Sequence, residues 1–241
     1  MSKSEILVEK LRKFCADRDF EKVVVGLSGG VDSALVLALA VGALGAENVF
    51  GLILPRRNVS SDESKLLAKK VAAQFGVKIF EFELGEIIDK FTPPWSANPL
   101  AEMNLAPRLR MTALFHFANS QNALVLGTSN RSEILLGYGT KFGDFAADVE
   151  LLGNFWKTEI FELARELKIP DEIISRPPTA ELQIGQTDES ELGANYSVLD
   201  EILQKLEKNN FEPSENATEL EKNIFARVLK NRHKTELVPV L

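Results

Sequence analysis

Along the first half of the chain, short apolar runs alternate with longer stretches whose apolar residues recur at helical spacing. Lys22 to Leu27 is β-branched and reads as a buried strand, and Val49 to Leu54 reads as a second. Val77 to Phe82 alternates apolar and polar positions and predicts a third strand, and Ala123 to Gly127 a fourth. The first residues, MSKSEILVEKLRKF, predict an amphipathic helix. Ser33 to Leu44 is apolar almost all round, the pattern of a buried helix. Ser61 to Phe75 is amphipathic, with Ser61 or Asp62 placed to cap it and Gly76 just past its end. A proline-rich stretch, Thr92 to Pro99, precedes a long helix expected from about Leu105 to Asn119. Tyr138 to Asp148 is glycine-rich without an apolar period and reads as a loop. Trp156 to Leu167, Tyr196 to Glu207 and Glu215 to Arg232 predict further helices. Strand alternating with helix predicts an α/β fold, a doubly wound parallel sheet flanked by helices. No repeat or low-complexity linker divides residues 1–241, so a single domain is expected.

Composition narrows the classes. The chain has 241 residues, 45% hydrophobic and 26% charged, enough for one large core. Its 28 basic and 35 acidic residues give a net charge of -7, which disfavours general nucleic-acid binding. The single cysteine, Cys15, excludes a disulfide framework and a paired-cysteine metal site, and reads as a small apolar residue of the first helix. The longest uncharged stretch, Ala34 to Ala46, is shorter than the roughly 18 residues a membrane helix needs. No basic flank with an apolar core opens the chain, so a soluble, cytoplasmic protein without membrane partners is expected.

The strongest local signal is Gly26-Leu27-Ser28-Gly29-Gly30-Val31-Asp32-Ser33 at a strand-to-helix turn. Adjacent glycines let the backbone approach a ligand, and the following helix aims free N–H groups at an anion. The hydroxyls of Ser28 and Ser33 suit phosphate oxygens. Asp32 would repel a phosphate unless a hard cation such as Mg²⁺ lies between them. The lysine of a kinase-type phosphate loop is absent, and so is the G-x-G-x-x-G dinucleotide fingerprint. The SGGVDS string resembles the pyrophosphate-binding loop of the N-type ATP pyrophosphatases, which activate a carboxylate or carbonyl as its adenylate.

Further segments narrow the substrate. They are Asn104 to Met111 with two arginines, Gly127-Thr128-Ser129-Asn130-Arg131-Ser132-Glu133 at the end of the fourth strand, and Gly137 to Asp144 with Asp148 beyond it. Trp156-Lys157-Thr158, Pro178-Thr179-Ala180-Glu181-Leu182, Gly185-Gln186-Thr187-Asp188-Glu189 and His233-Lys234 follow. Together, in order from about Val23 to Lys234, these resemble the NAD synthetase family. The resemblance implies the adenine-nucleotide-hydrolase-like variant of the Rossmann fold. At 241 residues it also implies the short, ammonia-dependent form without a glutaminase domain. Three departures touch loop shape: Pro107 within a helix, Glu150-Leu151-Leu152 without a proline, and Leu182-Gln183 without a tryptophan.

The same resemblance assigns roles. Gly26 to Ser33, Thr128, Lys157 and Thr179 would bind ATP, and Asp32 and Glu133 would hold Mg²⁺ on its phosphates. Arg108, Lys141, Asp148, His233 and Lys234 would contact the carboxylate substrate, deamido-NAD. Lys157 would stabilise charge building on the α-phosphate. Asp144 would bind ammonia or accept its proton, or else shape the turn after Gly143. Lys157 read without the resemblance is a solvated lysine of an amphipathic helix, and Glu133 a charge favoured at a helix start. His233 reads equally as a surface residue, and His116 as packed within a helix. The implied reaction is ATP-dependent amidation of deamido-NAD with ammonia to NAD, AMP and pyrophosphate, through an NAD-adenylate and in a homodimer. The alternatives are a non-catalytic ATP-binding sensor and another adenylating N-type ATP pyrophosphatase. The 137–148 and 183–193 segments are candidate lids.

Overall fold

The computed structural model describes residues 1–57, 59–91, 93–95, 98–179, 187–236 and 239–240. Strands β1 (Lys22–Gly26), β2 (Val49–Ile53), β3 (Lys78–Glu81), β4 (Ala123–Gly127) and β5 (Val149–Glu150) form one parallel sheet ordered β3-β2-β1-β4-β5. The helices are α1 (Lys3–Ala16), α2 (Val31–Leu44), α3 (Asp62–Gln74), α4 (Gly85–Lys90), α5 (Pro99–Gln121), α6 (Arg131–Leu136), α7 (Lys157–Glu166), α8 (Asp171–Ile174), α9 (Asp188–Leu192), α10 (Tyr196–Lys208) and α11 (Glu219–Asn231). The α/β prediction and its four strands hold.

Side-chain alternation along β1 builds both layers. Val23 and Val25 pack with α1, α2, α3 and α7 on one face, and Val24 packs with α4 and α5 on the other. α2 is buried on nearly every side, as its uninterrupted apolar sequence requires, and Cys15 packs in the same core. A third core, centred on Leu136, Leu199 and Leu203, joins α6, α10 and α11. Among the described residues no helix is long and apolar enough to cross a membrane.

The sheet order decides where a ligand can bind. β1 has β2 on one side and β4 on the other, so the chain reverses its direction of winding between them. At such a point the loops leaving the two strands part and open a crevice beyond their carboxyl ends. The turn after Gly26 and the turn after Gly127 therefore face one another.

The boundaries differ from the sequence pattern where side-chain caps outweigh hydrophobic period. α5 begins at Pro99 rather than near Leu105: the Asn98 side chain accepts from Ala101 N–H at 2.9 Å, and Pro99 fits the first helical turn. Pro107 lies inside that helix, without the backbone donor of a normal turn. α11 begins at Glu219, after a capping box between Thr218 and Glu221. The short elements α4, α6, α8, α9 and β5 span too few residues to show a period. His116 is exposed on α5 rather than packed, because the buried positions of that helix are Ala106, Pro107 and Ala118.

Candidate active site

The turn after β1 keeps its backbone open to an anion. Gly29 has φ +81°, and a Cβ there would stand 2.3 Å from the Ser64 carbonyl oxygen, so only glycine fits. Gly30 is the N-cap of α2, and no side chain caps that helix. Its first N–H groups and the positive end of its dipole face the crevice. Ser28 and Ser33 shape the turn from within: their hydroxyls lie 3.1 Å apart, Gly30 N–H donates to Ser28 Oγ at 3.2 Å, and Ser33 Oγ donates to Gly30 O at 3.0 Å.

Beside this loop, three elements bring one cation and two carboxylates together. Lys157, the first residue of α7, is 2% exposed. Its ammonium donates to Asp32 Oδ2 at 2.6 Å and to Glu133 Oε1 at 3.2 Å. Asp32 comes from the first turn of α2, and its other oxygen accepts from Asn130 Nδ2 at 2.9 Å. Glu133 closes a capping box with Asn130 at the start of α6. A buried lysine at a helix N-terminus opposes the dipole. Asp32 and Glu133 outweigh both the dipole and burial, and hold the Lys157 ammonium above the ordinary lysine range. Burial pushes the Glu133 carboxyl up to about 8, against the attraction of Lys157 and with the repulsion of Asp32 added. The solvated reading of Lys157 is thus replaced by a buried one.

This arrangement fits a divalent cation in part. Two hard carboxylates converge on one point, where the ammonium now stands as the cation between them. Among the described residues no group of three or more His, Cys, Asp or Glu side chains forms a metal cage. A pair of carboxylates with the remaining positions left to phosphate and water is the habit of Mg²⁺.

A cleft of about 410 Å³ opens over these groups. Its walls include Ser28, Gly30, Asp32, Thr128, Glu133, Asp144, Lys157, Thr179 and Lys234. Asp144 Oδ2 accepts from Thr140 N–H at 2.8 Å, so one oxygen shapes the turn. Lys234 Nζ donates to the Gly137 and Gly139 carbonyls at 2.8 and 3.1 Å, and burial with Arg227 nearby lowers its pKa. Arg108, Lys141 and His233 stand together outside these walls. Arg108 Nε donates to Lys141 O at 3.4 Å and Lys141 Nζ to His233 O at 2.6 Å. Asp148 turns away from the cleft, since its Oδ2 accepts from Val125 N–H at 2.7 Å and extends the β4 ladder. The expectations resting on Ala180 to Leu182, Gln183, Gly185 and Gln186 lie outside the described residues.

Comparison with known proteins gives this geometry a family. The NAD synthase family model matches residues 4–238. The chain belongs to the ammonia-dependent NAD synthase family. It is 45% identical over 214 residues to the NH(3)-dependent NAD(+) synthetase of Methanococcus aeolicus, covering 85% of this chain and 84% of that one. Identity to the Methanocaldococcus jannaschii enzyme of the same name is 42%, over 98% and 96%. Among solved structures, NMN synthetase from Francisella tularensis superposes with a TM-score of 0.89 at 30% identity, over 99% and 96%. The NH3-dependent NAD synthetase from Campylobacter jejuni, solved with nitrate, gives 0.83 at 31%, over 99% and 97%. Like its family, the chain is an ATP-using ligase of NAD biosynthesis.

Within this NAD synthase frame, the structure adds residues that the sequence reading left without a role. Asn130 is fully buried and braces Asp32. Asp188 is 3% exposed, and its carboxylate accepts from Tyr138 OH at 3.1 Å and Tyr196 OH at 2.8 Å. Burial raises its pKa. Asp188 sits in the quoted Gly185–Glu189 segment and Asn130 in the quoted Gly127–Glu133 segment, so the strings were visible and the partners were not. Arg110 and Arg176 add cationic groups to the wall.

Glu150 is the unexpected acid. It folds back over Gly127, where any Cβ would meet its carboxylate at 2.3 to 2.4 Å. Oε2 accepts from Ser129 N–H at 3.0 Å, while Oε1 is buried without a partner among the described residues. Burial pushes this carboxyl up to about 7 from an ordinary 4.5. The fold then keeps a proton that the unfolded chain releases, so the group costs stability increasingly as pH rises from 4.5 to about 7. Glu150→Gln is expected to be more stable than the parent at pH 8, by up to about 2–3 kcal/mol. The advantage should vanish by pH 4, as read by urea denaturation at both pH values. In the loop, Gly29→Ala is expected to cost about 1–3 kcal/mol. It should also abolish the thermal stabilisation that ATP gives the parent, measured by melting with and without nucleotide.

Proposed function

We propose that the cleft amidates deamido-NAD with ammonia in two steps, with ATP as co-substrate and Mg²⁺ held by Asp32 and Glu133. The observation that carries this reading is the Asp32–Lys157–Glu133 cluster beside an uncapped glycine loop at the reversal point of the sheet. When bound, Mg²⁺ supplies charge neutralisation on the phosphates.

In the first step an oxygen of the nicotinate carboxylate bonds to the α-phosphorus of ATP, and the bond from that phosphorus to pyrophosphate breaks. The α2 N-terminus and the Ser28 and Ser33 turn receive the departing pyrophosphate. In this reading Lys157 stabilises charge on the α-phosphate, and Thr128 and Thr179, which line the same cleft, contact ATP. Much of the contribution is positioning. In the second step ammonia attacks the acyl carbon of the adenylate, and the carbon–oxygen bond to AMP breaks. Ammonium first gives up a proton, and the Asp144 oxygen not engaged with Thr140 is the acceptor in this reading. Lys234 serves the substrate from the cleft wall. Arg108, Lys141 and His233 serve it from the rim, where a second copy of the chain in a homodimer would complete the pocket. Asp148 serves it indirectly, by holding the end of β4.

The direct test incubates the protein with ATP, Mg²⁺, ammonium and deamido-NAD and follows NAD, AMP and pyrophosphate. Binding of ATP without product would support the sensor reading instead. Because one structural neighbour is named an NMN synthetase, a parallel arm offers nicotinate mononucleotide, and the dinucleotide is expected to be preferred.

Asp32→Ala is expected to lower pyrophosphate release at least about 100-fold while the far-UV spectrum stays unchanged. Parental turnover by this variant at low Mg²⁺ would remove Asp32 from the metal. Asp144→Asn keeps an acceptor for Thr140, so a turn-shaping role predicts a neutral change. The proton-acceptor role predicts normal pyrophosphate release, a slowed amide step and partial recovery as pH rises and free ammonia increases. Single-turnover measurement of both steps separates these outcomes.

A further inference from the structure

Behind Lys157 and Glu133 lies a buried acid that touches neither of them. Asp200, in α10, is 2% exposed, and Ser132, in α6, is fully buried. Ser132 Oγ donates to Asp200 Oδ1 at 2.5 Å and accepts from the Lys157 backbone N–H at 3.0 Å. Asp200 Oδ2 accepts from the Thr158 backbone N–H at 2.9 Å. Asp200 therefore grips Ser132, the residue preceding Glu133, and the pair holds the first two residues of α7. It satisfies two donors that a helix start leaves open, and places a carboxylate at the positive end of the helix dipole. α10 also fixes the far end of the same lysine, since the Tyr196 ring lies 5.2 Å from its ammonium.

We propose that Asp200, acting through Ser132, is a positioning residue for adenylate formation: it sets the Lys157 ammonium and the Glu133 carboxylate in register on the ATP phosphates. The proposal rests on the reading of the cleft given above. A carboxylate removed from water is costly, so one that stabilised the helices alone is matched or bettered by apolar packing. Its two oxygens are both spent on α6 and α7, the helices that bear the functional groups. The side chains it steers are the two that meet at 3.2 Å. A displacement of roughly 1 Å at reacting groups costs about 100-fold in rate.

The test uses Asp200→Asn, which keeps the shape, and Ser132→Ala, which removes the hydroxyl without adding volume. Parental protein is assayed first; failure to form an adenylate from deamido-NAD there refutes the parent reading, not this one. With an active parent, each variant is measured well below its melting temperature, per folded molecule. The expected result is a fall of about 10- to 100-fold in the single-turnover rate of pyrophosphate release, with the KM for ammonium unchanged. The double variant should be no slower than Asp200→Asn alone, because the two residues act as one unit. Ser132→Ala carries the test by itself if Asp200→Asn does not fold. Variants that melt earlier yet release pyrophosphate at the parental rate, or that slow only the ammonium step, would overturn the proposal.

Discussion

The burial of one ammonium group organises this molecule's active region. Lys157 loses nearly all of its hydration and is repaid only where Asp32 and Glu133 meet it. Removing one partner of such a buried pair typically costs about 3–5 kcal/mol. The three residues belong to α2, α6 and α7, so the contact forces three helix starts to one point. With Asp188 close enough to raise the lysine further, acid outnumbers base there. A cluster of carboxyl groups facing a loop open to anions is stable with a cation between the two.

The sheet makes that meeting possible. Parallel strands send every loop that leaves a carboxyl end to the same edge, and the reversal between β1 and β4 separates two of those loops enough to admit a ligand. Gly29 at one side and Gly127 at the other are held free of a Cβ by close neighbours, Ser64 and Glu150 respectively. At Gly29 the obstacle is backbone and the φ is positive, so glycine is a packing requirement there, whereas at Gly127 it is the movable end of a side chain. The added helices α10 and α11 then press on α6 from behind, through a core of their own. α11 adds Arg227 to the cleft wall, and α10 acts on the cleft from behind through Asp200 and Tyr196.

The cleft wall from Gly137 to Asp144 is built on a different principle. The 137–148 segment has no regular period and is held by backbone turns such as Gly143 N–H to Thr140 O at 2.9 Å together with side chains: Thr140 to Asn104 at 2.8 Å, Asp144 to Thr140, and Lys234 to two glycine carbonyls. Loops held by a few polar contacts open at lower cost than packed helices.

The sequence alone determined the strands, because a period of two or a β-branched run constrains every residue it covers. It also singled out the glycine loop as a candidate anion site, because glycines, hydroxyls and Asp32 lie within eight consecutive residues, from Gly26 to Ser33. Glu133 and Lys157 were legible only through their resemblance to a family. Their own neighbourhoods read as an ordinary helix start and a solvated face. Tertiary structure decided that they meet, since Lys157 and Asp32 are 125 positions apart and no local pattern records the pairing. It decided as well that Asp148 serves β4, that His116 is exposed, and that Asn98 starts α5. Glu150 and Asp200 were silent for the same reason. A buried carboxylate is defined by what surrounds it in three dimensions, and a single acidic letter in a sequence looks the same on the surface as in the core.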